Sequence, residues 1–233
     1  MTMRNAVFDL PEILTSLNTV SVFARLSLAV AFGGILGLER GRKHRPAGFR
    51  TYMIVCLSSA LVMITDLYLV EFYGTGDPAR LGAQVISGIG FLGAGSIMVS
   101  NMRIKGITTA AGLWGSAGLG LAIGAGFYIG AFITGIFLLI IMTIMSRIDA
   151  RINSTSRSMI IFAEFKSTEA LTSFVKEARK KNYTLSDIEM KKSLLDSDYI
   201  GVNIALSLPK RRNHAEVIQE FGTLKGVKYI EEL

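Results

Sequence analysis

Residues 106–146 run for forty-one positions without a charged side chain, and residues 81–102 contain none either. A helical crossing of a bilayer needs about 20 mostly apolar residues, so the longer window holds two crossings joined by a tight turn and the shorter holds one. A water-facing helix would carry a polar stripe through windows this long. Half of the 233 residues are hydrophobic and 18% are charged, which excludes a disordered or collagenous chain. The chain is read as an integral membrane protein.

Five spans are expected, at about 20–38, 51–71, 81–99, 106–124 and 127–146, so the two ends of this region lie on opposite sides of the membrane. The loop after the first span carries Arg40, Arg42, Lys43, Arg45 and Arg50; the loop after the third carries Arg103 and Lys105; the exit of the fifth carries Arg147, Arg151 and Arg157. All ten fall on one side. The other side holds Arg4, Arg25 and Arg80 beside Asp9, Glu12, Asp66, Glu71 and Asp77. Under the positive-inside rule the N-terminus is outside and the C-terminal region cytoplasmic. No cleavable signal peptide is expected, because Arg4 is followed by a mixed stretch with Asp9, Pro11 and Glu12. Basic residues confined to short loops fit topology, not nucleic acid.

After Arg157 the composition changes, and residues 1–157 and 158–233 are taken as two domains. Of 24 glycines, 21 lie at or before Gly135. In lipid, small residues let helix backbones approach, so Ala83, Ser87, Gly90 and Ala94, with Gly120 and Gly124, are expected to pack a compact bundle. The tail has a different rhythm. Met159–Phe165 is a short apolar run, Leu171, Phe174, Val175 and Ala178 share a helical face, and Ile200, Val202, Ile204, Leu206 and Leu208 alternate with smaller or polar residues. With a strand near Leu185–Lys192, a helix near Asn213–Gly222 and a last strand at Val227–Ile230, the order is βαββαβ, a small α+β domain of ferredoxin-like type. Its core is small enough that dimerisation or a partner chain is expected to supplement it.

Gly88, Gly90 and Gly93 have dinucleotide-loop spacing, but they lie inside an apolar span with no acidic residue downstream in Ile107–Trp114, so helix packing is the expected role. No nucleophile elbow, metal-ligand cluster, P-loop or paired carboxylate occurs, so no catalytic residue, metal or cofactor is assigned. Cys56 is read as a small core residue. Spans two and four both begin on the cytoplasmic side. There Arg50 and Thr51, together with Arg103, Lys105, Thr108 and Thr109, combine helix N–H groups, hydroxyls and cationic donors suited to a phosphate or carboxylate. The same residues also serve topology and lipid headgroups. Glu39 can orient Arg50 or Arg42. Arg25 and Asp66 fall at nearly equal depth and can pair, the alternative being a snorkelling Arg25 and an Asp66 lining a wet outer cavity. Gln84 needs a partner within its span, and Trp114, far from the interfacial belt, is expected inside the bundle or against a partner helix. Glu39 and Asp66 lie at opposite membrane ends and cannot share an ion, so ion transport is the alternative reading.

Gly37-Leu-Glu-Arg40, Arg45-Pro-Ala-Gly-Phe-Arg-Thr51, Ala83-Gln-Val-Ile-Ser-Gly-Ile-Gly-Phe-Leu-Gly-Ala-Gly95 and Gly106-Ile-Thr-Thr-Ala-Ala-Gly-Leu-Trp114 closely resemble the MgtC/SapB family of bacterial membrane proteins. Phe49 stands where the family pattern is expected to have leucine. The tail resembles the ACT-like domain of longer members. The resemblance implies a non-enzymatic regulator tied to growth in low magnesium and, in pathogens, to intracellular survival. It also implies placement in the bacterial inner membrane and action on a membrane-protein partner such as the F-type ATP synthase or on membrane potential.

Overall fold

The computed structural model describes residues 12–42, 45–100, 103–145, 148, 151, 152, 154–193 and 198–233. A four-residue helix α1 (Glu12–Thr15) precedes α2 (Thr19–Arg42) and α3 (Phe49–Tyr73). Next come α4 (Arg80–Gly95), a two-stranded hairpin of β1 (Met98–Ser100) and β2 (Arg103–Lys105), then α5 (Ile107–Gly124) and α6 (Tyr128–Ile140), which runs on as a π-turn over Ile141–Met145. Four helices are long and apolar enough to cross a membrane: α2, α3, α5 and α6 with its π-turn. The fifth, α4, has 16 residues and rises only about 24 Å. The expected span 81–99 therefore ends early. Ser96 closes the helix, its hydroxyl and its N–H both donating to the Gly93 carbonyl, at 2.7 and 3.0 Å. The chain then reverses through the hairpin to Gly106, whose φ of +99° and contact with the Ser96 carbonyl leave no room for a Cβ.

Helix α3 lies between α2 and α5, and small residues set both contacts. A Cβ on Gly33 would stand 2.7 Å from the Tyr52 carbonyl, and one on Gly37 would stand 2.7 Å from Phe49 Cα. On α5, Gly112, Ser116, Gly120 and Gly124 recur every fourth residue. A Cβ on Gly120 or Gly124 would strike the Cys56 or Ala60 carbonyl of α3, and the Ser116 hydroxyl donates to the Tyr52 carbonyl at 3.3 Å. Packing of this kind drives helix association in lipid. The expectation for α4 is corrected: Ala83, Ser87, Gly90 and Ala94 are exposed, and its buried positions are Gly82, Ile89 and Gly93. A short helix touching its neighbours along one edge leaves its remaining small residues facing outward.

In the tail the elements follow the order that the periodicity predicts: β3 (Ser158–Phe165), α7 (Thr168–Lys180), β4 (Thr184–Lys191), β5 (Ile200–Ser207), α8 (His214–Gly222) and β6 (Val227–Glu232). The sheet order is β4-β5-β3-β6, antiparallel throughout, with Ile161 opposite Ile204. Met159, Ile161, Ala163 and Phe165 alternate toward Phe174, Ala178, Val217 and Phe221 of the two helices. Ser167 and Asn213 cap α7 and α8 through side-chain oxygens. The chain forms two compact units, Met1–Met98 with Ile104–Met145, and Val99–Arg103 with Ser146–Leu233.

Candidate functional site

Four helices of the first unit converge on the end where α2 stops and α3 and α5 start. Arg40, in the last turn of α2, is only 2% exposed; its Nε lies 2.9 Å from Glu39 Oε2 and its Nη2 donates to the Met142 carbonyl at 3.1 Å. Met142 belongs to the π-turn of α6, a distortion that shifts backbone carbonyls out of the regular ladder. Tyr52, in the first turn of α3, is wholly buried and donates its hydroxyl to the Thr109 carbonyl of α5 at 3.2 Å. Gly112 makes the convergence possible, since a Cβ there would strike the Tyr52 hydroxyl and stand 2.9 Å from Met142 Cε. Arg40, Tyr52, Thr109 and Met142 thus join four helices through donors and carbonyls. A buried guanidinium costs several kcal/mol to desolvate, and the paired carboxylate and carbonyl offset that cost.

Around this cluster the sequence-predicted anion donors occupy two helix starts. Neither Gly48, capping α3, nor Gly106, capping α5, offers a side chain to the free N–H groups of the first turn. Arg50 is exposed and Thr51 half-buried at the start of α3; Thr108 is exposed and Thr109 buried at the start of α5. Lys105 is exposed at the end of β2, and Arg103 begins that strand. Arg50 and Lys105 make no ion pair with a described residue. Glu39 pairs with its neighbour Arg40, not with Arg42 or Arg50. Lys43 and His44 lie outside the described residues.

At the opposite end the structure separates two charges that equal depth had placed together. Arg25, 1% exposed, donates to the Gly124 carbonyl at 2.8 Å, the Leu14 carbonyl at 3.2 Å and the Tyr128 hydroxyl at 3.2 Å. Asp66, 4% exposed, accepts from the Leu81 N–H at 3.0 Å. The expected Arg25–Asp66 pair does not form. Each charge instead meets a helix end of opposite sign, the guanidinium at the C-terminus of α5 and the carboxylate at the N-terminus of α4. Of the two expectations for Trp114, the place inside the bundle is corrected, and Gln84 too lies on an outer face. Trp114 is 53% exposed, because the buried stripe of α5 runs through Leu113, Ala117 and Gly120 and leaves position 114 on the outer face. Gln84 is exposed on α4 and has no hydrogen-bond partner among the described residues.

Sequence reasoning missed Arg40, Tyr52 and Met142. The four-residue recurrence Gly112-Ser116-Gly120-Gly124 was the available signal for the α3–α5 contact. Among the described residues no group of three His, Cys, Asp or Glu side chains is arranged to hold a metal ion.

The pattern of the MgtC family matches residues 26–151. Protein SapB of Bacillus subtilis (strain 168) is 31% identical over 215 residues, covering 88% of this chain and 92% of its own length. YhiD of Escherichia coli (strain K12), whose name proposes magnesium transport, is 29% identical over 216 residues, covering 90% of this chain and 97% of its own. Protein MgtC of Brucella abortus (strain 2308) is 38% identical over 122 residues, covering 52% of this chain and 50% of its own. No solved structure matches.

Proposed function

Since the chain belongs to the MgtC family, we propose that it is a non-enzymatic regulator of the bacterial inner membrane, supporting growth in low magnesium by acting on membrane-protein partners such as the F-type ATP synthase. In this reading α4 completes a five-helix membrane bundle, the N-terminus is outside, and the βαββαβ tail is an ACT-like domain in the cytoplasm. The confinement of Arg40, Arg42, Arg45, Arg50 and Lys105 to one side supports that orientation.

The observation that carries a regulatory reading over transport is the placement of buried charge. Among the described residues of the helical unit, the two most deeply buried charged side chains are guanidinium groups, Arg25 and Arg40, held by backbone carbonyls at opposite ends of the bundle. Asp66 is spent on the first turn of α4 and Glu39 on Arg40. A magnesium ion keeps several waters and needs oxygen ligands converging at one depth, whereas these fixed cations repel it. Transport is the second reading, favoured by the name of the Escherichia coli relative. A strain lacking the gene should grow poorly in low magnesium while its initial rate of magnesium uptake matches the parent strain. A slowed uptake, restored by the intact gene, would select transport.

A further inference from the structure

Half of the twelve Lys and Arg residues after position 157 form two runs, Arg179-Lys180-Lys181 and Lys210-Arg211-Arg212. The fold brings them to one end of the domain. Ser158, Ser207 and Thr184 stand side by side across β3, β5 and β4. That end therefore receives both the turn from α7 into β4 and the segment leaving β5. Glu220 ties the runs together: it lies 2.6 Å from Lys181 Nζ through one oxygen and 2.8 Å from Arg212 Nη1 through the other. Arg212 also donates to the Tyr183 hydroxyl at 3.0 Å.

Glu220, with Glu216 4.0 Å from Arg212, leaves most of the six cations unbalanced. Arg179, Lys180, Lys210 and Arg211 are exposed and make no ion pair with a described residue. The helix dipole accounts for the first run, which closes the last turn of α7, but opposes the second, which precedes the N-terminus of α8. Keeping three cations at the unfavourable end of a helix points to an anionic partner. The partner's location follows from where the chain enters the domain. Leu208 N donates to the Arg157 carbonyl at 2.6 Å, His214 N donates to the Ser154 carbonyl at 3.1 Å, and His214 Nε2 lies 3.0 Å from the Ser156 carbonyl. The segment arriving from the apolar helices is thus strapped beside the second basic run.

We propose that this basic end is a docking surface for the anionic phospholipid headgroups of the inner leaflet, holding the C-terminal domain against the membrane that its own chain has just left. The proposal rests on the reading of the helices as a membrane bundle with the tail in the cytoplasm. Each exposed Lys or Arg held near an anionic leaflet strengthens attachment roughly fivefold, so four unpaired cations on a tethered domain suffice without a pocket.

The full chain in nanodiscs tests this, using phosphatidylcholine alone against phosphatidylcholine with about one third phosphatidylglycerol. Amide exchange in the peptides covering residues 179–183 and 208–213 should slow about tenfold in the anionic discs. The protection should disappear in about 1 M salt, where the Debye length is about 3 Å, and in the Lys210→Glu/Arg211→Glu variant. Exchange across β5 reports folding; if the variant alters it, the salt titration of the unaltered protein decides. Equal exchange in both kinds of disc, or protection that survives salt, overturns the proposal. So does inorganic phosphate reproducing the protection in neutral discs, which would make the surface a soluble-anion site. Discs expose both faces and carry no gradient, so failure here leaves the proposed function standing, and failure of that function leaves this result intact.

Discussion

Arg25 and Asp66 show what depth alone leaves undetermined. Both positions were legible as intramembrane charges, yet each is satisfied by backbone at a helix end, because free carbonyls and N–H groups there already carry the opposite partial charge. The two sites should therefore act independently. Arg25→Ala, which removes three hydrogen bonds and leaves the Gly124 carbonyl without its donor, should cost about 3 kcal/mol and Asp66→Ala about 1 kcal/mol in detergent unfolding. The double variant should equal the sum within about 0.5 kcal/mol, and a recovery larger than that would restore the ion pair to the account. In the tail, the Glu220 carboxyl is held below its usual 4.5, first by the hydrogen bond from Lys181 and then by that from Arg212. A depressed folded-state pKa contributes stability above the unfolded value and loses it as pH falls through the folded one. Glu220→Gln should thus destabilise the domain by up to about 1 kcal/mol at neutral pH, with the difference from the parent vanishing in acid below the usual glutamate range. Thermal melts across pH measure it, and a difference that persisted in acid would assign Glu220 a packing role.

At the scale of elements, hydropathy gave the helices but not their facing. An apolar helix in lipid carries no polar stripe to mark its outer side, so Gly88 and Gly90 of α4 were expected in helix contacts and Trp114 inside the bundle or against a partner helix, while Tyr52 of α3 looked like any other residue; Cys56 was legible as a core residue and is buried. The tail was legible in full element order because its strands and helices alternate between water and core, and that alternation is written in the residues. The early end of α4 was not legible, since Ser96 and Gly106 act through a backbone contact between positions ten apart. Glycines at helix contacts and glycines facing outward should respond to substitution in opposite ways. Gly120→Val and Gly124→Val push into the Cys56 and Ala60 carbonyls and should cost more than about 3 kcal/mol or abolish accumulation of folded protein. Gly88→Ala and Gly90→Ala meet nothing within 4 Å and should be neutral or stabilising by about 0.5 kcal/mol. Measured melting temperatures in which all four variants fall together would mean that the outer face of α4 is packed in the assembled protein.

At the scale of the whole molecule, one unit is an apolar bundle whose buried charges close helix ends and join helices, and the other is a small α+β unit with one strongly basic end. The buried guanidinium groups of Arg25 and Arg40 are fixed by carbonyls, and the acids Glu39 and Asp66 lie at separate ends with partners of their own, an arrangement that favours the proposed regulatory role over an ion pathway. The most direct test is magnesium flux into sealed vesicles reconstituted with the purified full chain, followed with an internal magnesium-sensitive dye. Entry is expected at the rate of protein-free vesicles, with and without an imposed membrane potential. Entry that rises with the amount of protein and falls in Asp66→Asn or Glu39→Gln would contradict it.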